Sequence, residues 1–104
     1  MSSDKTKAHS EWYVYLIRMR NNALYCGITT DVERRFSEHS CGKGAKALKG
    51  KGPLSLAWFG SAGSSRSSAS KIEYHLKRLD KKQKEKLVLG HYQLSDLVDK
   101  QLFD

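Results

Sequence analysis

The chain has 104 residues, a length that suits one compact domain and leaves too little for two. Nineteen Lys and Arg residues against eleven Asp and Glu residues give a formal net charge of +8 at pH 7. Such an excess attracts polyanions, so nucleic acid is the first candidate partner, ahead of an anionic membrane surface or charge that serves solubility alone. The longest unbroken apolar run, Trp12 to Ile17, is far shorter than the roughly twenty residues of a membrane-spanning helix, which excludes a spanning segment.

The N-terminus and the cysteines indicate whether the protein is secreted and whether it has a zinc site or disulfides. Residues 1–10 are polar and lack the apolar stretch of a secretory signal, which predicts a flexible tail and a cytoplasmic protein. Cys26 and Cys41 have no partners at the spacing of a zinc site, and two cysteines are too few for a disulfide framework. We therefore expect two reduced thiols.

A β-hairpin is expected to begin the folded part of the chain. Glu11 to Met19 is rich in aromatic and β-branched side chains, and Ala23 to Ile28 has the composition of a returning strand. Asn21 and Asn22 lie between them, and Asn tolerates the positive φ that tight turns require.

The length of that turn decides which side chains share a face of the sheet. An ideal two-residue turn would pair Leu16 with Gly27 and would place Tyr15 and Tyr25 on opposite faces. An odd-length loop or a bulge would instead bring the two tyrosines to one face.

A helix is predicted directly after the hairpin. Thr30 and Glu33 have the spacing of a capping box, and the helix is expected to run to about Ser40. Its apolar ridge consists of Val32 and Phe36, four residues apart.

The remaining elements alternate with polar segments. A loop rich in Gly and Lys spans 41–53, and Leu54 to Gly60 reads as a short strand that we expect to be buried. Ser68 to Leu79 has the apolar spacing of a helix. Asp80 and Gln83 have the spacing of a helix cap, which predicts another helix over Lys81 to Leu89, and a short helix is expected from Ser95.

The resulting order, β-β-α-β-α-α, predicts an α+β fold in which a three-stranded antiparallel sheet is flanked by helices. We divide the chain into a tail at 1–10, a domain at 11–90 and a C-terminal extension at 91–104.

The positive charge is concentrated in one part of the chain. Between Gly42 and Lys86 there are twelve basic and three acidic residues, a net charge of +9. Glycines in the loop at 41–53 let backbone N–H groups approach phosphates while the lysines neutralise them, although solvated helices alone would also explain many of these charges. The predicted nucleic-acid-binding residues are Lys43, Lys46, Lys49, Lys51, Arg66 and Lys77.

Three further residues could take part in phosphodiester chemistry. Glu73 lies inside the second helix, beside its apolar stripe, although an i,i+4 ion pair with Lys77 is an equally simple reason for a glutamate there. Arg35 and His39 are four apart on the first helix, where they could face a phosphate together or form a solvated ridge.

Three sequence segments together resemble a known family. The segments Y-V-Y-L-I from Tyr13, L-Y-C-G-I-T from Leu24 and D-V-E-R-R-F-S-E-H from Asp31 resemble the GIY-YIG nuclease domain. The chain is most similar to the small stand-alone bacterial proteins with this domain, over about residues 11–89. It departs from the family pattern at Tyr13, where the family has its first Gly, and at Cys26, where it has Ile.

The resemblance implies roles for individual residues. It implies a single divalent cation, Mg²⁺ or Mn²⁺, held by Glu73, and a structural role for Gly27 in the second motif. The positions that match the family's catalytic residues are Tyr15, Tyr25, Arg35 and His39.

The resemblance also implies a function. It is metal-dependent hydrolysis of phosphodiester bonds in DNA, in repair or in processing of unusual DNA structures, with Tyr15 or Tyr25 taking the proton from water. DNA is favoured over RNA as the partner, no membrane is involved, and a protein partner could supply specificity. Two alternatives remain open: a non-catalytic nucleic-acid-binding module with the same fold, and a protein-interaction domain whose charge serves solubility.

Overall fold

Residues 11–98 are described by a computed structural model, so the predicted tail at 1–10 and the last part of the C-terminal extension lie outside the described residues. The α+β fold and the element order are confirmed within this range. The elements are β1 (Tyr13–Arg18), β2 (Leu24–Thr29), α1 (Val32–Ser40), β3 (Ser55–Ser61), α2 (Arg66–Lys77), α3 (Lys81–Val88) and α4 (Leu94–Leu97). Within residues 11–98, no helix has the length and apolar character needed to cross a membrane.

The three strands form one antiparallel sheet in the order β2-β1-β3. The central strand β1 is the most buried, because it is paired on both sides. The prediction that the third strand is buried is wrong. Among the described residues β3 pairs with β1 alone, and its own residues are all exposed or partly buried, with Phe59 50% exposed.

The β1–β2 turn is longer than the ideal two-residue turn. The backbone N–H of Met19 donates to the carbonyl of Ala23 (2.8 Å), which leaves three residues in the loop. Asn22 adopts φ of 73°, and the Asn21 side-chain oxygen accepts a hydrogen bond from the N–H of Ala23 (3.0 Å). A loop that ends with a residue in the left-handed region is one of the common hairpin connections.

This odd-length loop sets the register of the hairpin. Tyr15 lies opposite Gly27, and Ile17 lies opposite Tyr25. The pairing of Leu16 with Gly27, which an ideal two-residue turn would give, does not form, and the odd-length alternative is the one observed. Because side chains alternate along a strand, Tyr15 and Tyr25 share one face of the sheet.

The two faces of the sheet carry separate apolar clusters. The larger cluster contains Val14, Leu16 and Cys26 of the hairpin, which pack with buried residues of α2, α3 and α4. The residues contributed by those helices are Ala69, Ile72, Leu76, Leu87 and Leu94. Burial of apolar area on this face, at roughly 25 cal/mol per Å², is the main force that holds α2 against the sheet.

The smaller cluster lies on the face that carries the tyrosines. Tyr15 and Ile17 pack there with Leu48, which is 2% exposed, and with the partly buried Phe36. Leu48 belongs to a single 3₁₀ turn, Lys46–Leu48, inside the segment predicted to be a loop. This turn anchors the Gly/Lys loop beside α1.

The helix ends follow local capping signals, with one correction. α1 is capped by Asp31, whose side chain accepts from the backbone N–H of Arg34 (3.1 Å), and not by Thr30. A carboxylate accepts this bond and also interacts favourably with the helix dipole, which explains the shift by one residue. The predicted Asp80–Gln83 cap of α3 is confirmed at 2.8 Å, and the short helix expected from Ser95 is α4.

A bidentate ion pair joins the end of β1 to α3. The Arg18 guanidinium donates to both carboxylate oxygens of Glu85, each at 2.7 Å, and Lys81 contacts the same carboxylate. The hydrogen bonds from Arg18, and then that from Lys81, lower the pKa of Glu85 to about 2. The carboxylate is about a quarter exposed, so solvent screening limits its contribution to stability.

We expect Glu85→Gln to lower the free energy of unfolding by about 1 kcal/mol at pH 7. The native state holds the Glu85 carboxylate ionised down to about pH 2, whereas its ordinary pKa is 4.5, so the stabilisation is present above pH 4.5 and is lost as the pH falls towards 2. Urea unfolding of both proteins between pH 2 and pH 7 measures this. A difference in stability that stayed constant over that range would contradict an ionic origin.

Candidate active site

A buried hydrogen bond between Tyr15 and His39 lies at the centre of the site. Tyr15 Oη is 2.9 Å from His39 Nε2, and the two residues are 3% and 2% exposed. His39 Nδ1 accepts a hydrogen bond from the backbone N–H of Ala45 (3.1 Å). An imidazole that accepts at Nδ1 carries its proton on Nε2 when neutral, so His39 donates to the Tyr15 oxygen.

The surroundings of His39 favour this neutral form. Burial lowers the pKa of His39 below its usual 6.5, the charge of Arg35 lowers it further, and Glu38 opposes the shift. Near pH 7 the ring therefore acts as a donor to Tyr15.

Arg35 contacts Tyr15 and is also accessible to solvent. Its guanidinium contacts Glu38 (Nη1 to Oε1, 2.9 Å) and hydrogen-bonds the Tyr15 hydroxyl, while the side chain remains 38% exposed. Burial raises the pKa of Tyr15 to about 12, against the opposing effect of the hydrogen bond from Arg35. Tyr15 therefore remains protonated near neutral pH, and Arg35 is accessible to an incoming anion.

Tyr25 completes the cluster from β2. Its ring meets the His39 ring edge-on, with centroids 5.8 Å apart and an interplanar angle of 68°. Tyr25 is only partly buried, in contrast to Tyr15. The structure thus brings the four predicted catalytic residues together on one face of the sheet.

Two glycines leave room for these side chains. A Cβ on Gly27 would lie 2.4 Å from Tyr15 Oη, and a Cβ on Gly44 would lie 2.1 Å from His39 Nδ1. Neither position admits a side chain unless the site residue moves. Sequence reasoning gave a structural role to Gly27 but missed Gly44, Ala45 and Glu38. The sequence feature that could have indicated Gly44 and Ala45 is a pair of small residues shortly after the end of α1.

An open cleft of about 300 Å³ adjoins Arg35. Arg34, Arg35 and Arg66 line it, and Glu38 lies between the first two, 4.0 Å from Arg34 Nε. The guanidinium of Arg66 lies over the Trp12 ring at 5.8 Å. The other lining residues are Ile28, Thr29 and Thr30. With three arginines and one glutamate, the cleft has the charge and the donors to bind a phosphate group.

Glu73 is not in contact with this cluster. It belongs to α2, which packs on the opposite face, and its carboxylate pairs with Lys77 at 3.3 Å, the alternative that the spacing had left open.

The negative charge of Glu73 affects the pKa of Cys26 on β2. The pKa of the Cys26 thiol rises to about 12, mainly through burial and next through Glu73. Cys26 and Cys41 are both free, as expected.

The donor set around Glu73 suits only one kind of metal site. Among residues 11–98, no three His, Cys, Asp or Glu side chains lie together. Mg²⁺ is commonly bound by one or two carboxylates, with water and substrate phosphate as the other ligands. The 22% exposed carboxylate of Glu73 fits that mode and does not fit a cage made of protein side chains alone.

The predicted nucleic-acid-binding residues occupy three regions. Lys43, Lys46, Lys49 and Lys51 are exposed on the loop next to His39. Arg66 lines the arginine cleft, and Lys77 pairs with Glu73.

Residues 11–86 match the family model described as the GIY-YIG catalytic domain. The chain belongs to the GIY-YIG family. It is 57% identical over 88 residues to a UPF0213 protein of Vibrio cholerae serotype O1 (strain ATCC 39315 / El Tor Inaba N16961), over 85% of this chain and 87% of that protein. It is 62% identical over 79 residues to a UPF0213 protein of Enterobacter sp. (strain 638), over 76% of each chain.

A solved structure has a similar fold. The solution NMR structure of the protein EF2693 from E. faecalis is 32% identical, with a TM-score of 0.52, and the match covers 78% of this chain and 85% of that one. The GIY-YIG domain is a nuclease domain, so the family places this chain among proteins with a nuclease fold.

Proposed function

We propose that this protein is a metal-dependent endonuclease that hydrolyses phosphodiester bonds in DNA, in repair or in the processing of unusual DNA structures. The observation that carries the proposal is the convergence of Tyr15, Tyr25, Arg35 and His39 on one face, in a chain of the GIY-YIG family. Arg35 is exposed enough to hold a phosphoryl oxygen, where a guanidinium stabilises the negative charge that develops during hydrolysis.

The environments of the two tyrosines favour different roles. Tyr15 is buried, its pKa is raised to about 12, and its oxygen already accepts from His39 and Arg35. Tyr25 is partly exposed beside the same histidine and can reach a water molecule. We therefore propose that Tyr25 takes the proton of the attacking water and passes its own hydroxyl proton to solvent, while Tyr15 and His39 position Arg35.

Glu73 would hold the Mg²⁺ or Mn²⁺ ion, with water and phosphate oxygens as the remaining ligands. Because α2 packs on the face opposite Tyr15 and Tyr25, this role requires a bound strand that contacts both faces of the sheet. A bound cation supplies positive charge that stabilises the leaving oxygen. Lys77 neutralises Glu73 in the free protein, so the carboxylate must exchange its ammonium partner for the cation.

The Gly/Lys loop at 41–53 and the arginine cleft support binding of the phosphate backbone on both sides of the scissile bond. Lys43, Lys46, Lys49 and Lys51 are exposed on the loop that contacts His39, and Arg66 lines the cleft next to Arg35. Specificity beyond contacts with the phosphate backbone would come from the shape of the DNA or from a protein partner. We expect the protein to act in the cytoplasm.

The decisive experiment is incubation of the purified protein with linear, flapped and branched DNA and with RNA, in Mg²⁺, Mn²⁺ or EDTA. We expect cleavage of DNA that EDTA abolishes. At low Mg²⁺, Glu73→Gln should cleave roughly tenfold more slowly, with partial recovery at higher Mg²⁺, because a weaker ligand binds the ion less tightly. The matched control is Glu33→Gln, which alters an exposed carboxylate on α1.

Equal cleavage by the wild type and Glu73→Gln at every Mg²⁺ concentration would contradict the role of Glu73. Salt-sensitive binding of every substrate with no cleavage would favour the alternative of a non-catalytic nucleic-acid-binding module. The ion pair that already occupies Glu73 is the observation that keeps this alternative open.

A further inference from the structure

An exposed aromatic ring lies beside the candidate active site, in contact with a second ring that is partly buried. Phe59 on β3 is 50% exposed, and its ring meets that of Tyr13 on β1 edge-on, with centroids 6.0 Å apart and an interplanar angle of 81°. A single exposed apolar side chain is common on protein surfaces. An exposed ring that a second ring holds in edge-to-face contact is an ordered aromatic surface against which a nucleobase can stack.

The sheet register places this pair between the site and the arginine cleft. Phe59 is the cross-strand partner of Tyr15, so their Cβ atoms are about 5 Å apart. Tyr13 is the partner of Thr29, which lines the cleft with Arg34 and Arg66. The rings therefore share one border with the candidate active site and another with a cationic cleft.

We propose that Phe59 and Tyr13 form a stacking platform for an unpaired nucleobase, so that the preferred substrate is a nucleic-acid strand with single-stranded or locally unpaired nucleotides. The inference rests on the proposed function in one respect, that the bound strand is then cleaved. Binding itself requires only the platform and the charges beside it.

Charge complementarity identifies the occupant as nucleic acid. Arg34 and Arg66 provide donors for phosphates at one border of the platform, and the exposed lysines of the loop lie next to His39 on the same catalytic face. Aromatic rings within a cationic groove are the usual means of binding single strands, because every base has a π-face. Bases inside a duplex are already stacked, so they reach such a platform only where pairing is broken.

Binding in EDTA, where nothing is cleaved, tests the inference. The probe is a single-stranded oligodeoxynucleotide that contains 2-aminopurine, compared with the same sequence in a duplex. We expect the protein to quench 2-aminopurine fluorescence in the single strand. Phe59→Ala should weaken single-strand binding at least about fivefold and abolish the quenching, while changing duplex binding less than about twofold.

Two further variants separate stacking from other effects. Phe59→Trp keeps a flat ring and should retain both affinity and quenching. Tyr74→Ala removes a ring that is 58% exposed on α2, and it should leave single-strand binding unchanged. Circular dichroism confirms that each variant is folded.

Unchanged single-strand affinity and quenching in Phe59→Ala would overturn the platform, and so would equal loss of single-strand and duplex binding. Phe59-dependent quenching in a protein that cleaves nothing would support the platform and refute the proposed nuclease. Cleavage in Mg²⁺ that is insensitive to Phe59 and equal on paired and unpaired strands would support the nuclease and refute the platform.

Discussion

Replacing Arg35 by Lys is expected to reduce kcat for DNA cleavage about 10²- to 10³-fold. Lysine keeps the positive charge, but a single ammonium cannot hold Glu38 and the Tyr15 hydroxyl while presenting two further donors to a phosphoryl group. The loss should appear in kcat more than in KM, because the interaction strengthens as charge develops in the transition state. Single-turnover cleavage with saturating protein measures it.

Arg34→Lys is the matched control. Arg34 is the neighbouring residue on α1, its side chain is 69% exposed, and its ion pair with Glu38 is long at 4.0 Å. We expect this variant to cleave within a few-fold of the wild-type rate. If Arg35→Lys also stayed within a few-fold, Arg35 would not be the residue that stabilises the phosphoryl group.

Tyr25→Phe is expected to slow cleavage about 10²- to 10⁴-fold, the usual contribution of a general base. Removing this hydroxyl leaves the ring contact with His39 in place, so the free energy of unfolding should change little. Cleavage rates and urea unfolding of the same preparation together separate a chemical from a structural effect.

Tyr15→Phe should give a different combination of effects. His39 Nε2–H would lose its buried acceptor, which costs about 1–3 kcal/mol of stability. Cleavage should fall less than in Tyr25→Phe, because Tyr15 positions its neighbours and does not contact water directly. The opposite order of rates, with Tyr15→Phe the slower enzyme, would move the role of proton acceptor to Tyr15.

Local sequence signals predicted most of the secondary structure. Ala69, Ile72 and Leu76 have helical spacing and are fully buried in α2, and the Asp80–Gln83 cap lies where the spacing placed it. Such elements depend on residues near one another in the chain, which is why their spacing is readable.

The register of the hairpin depended on backbone geometry that the sequence alone left open. Asn21 and Asn22 suit both a two-residue and a three-residue loop, and the positive φ of Asn22 within the longer loop decides between them. That difference of one residue moves Tyr25 to the face of Tyr15. Both outcomes were open from the sequence, and the longer loop is the one that forms a shared site.

Sequence patterns also could not predict tertiary contacts between separate segments of the chain. The hydrogen bond from Ala45 to His39 depends on how the loop folds back over α1, and the close approach of Gly44 depends on the same path. Glu38 is an ordinary exposed-helix residue by its spacing. Its i,i+3 spacing from Arg35 was readable, whereas the hydrogen bond of the same guanidinium to Tyr15 is a tertiary contact that spacing does not show.

The two apolar clusters on opposite faces of the sheet have unequal strength. Among residues 11–98, ten buried residues hold α2, α3 and α4 to one face, whereas three hold α1 and the loop at 41–53 to the other. Regions with fewer buried contacts open at lower free energy than the whole molecule unfolds. The side of the sheet that carries the candidate site is therefore expected to open locally while the other side remains folded, so that a strand could enter or leave without the protein losing its native state.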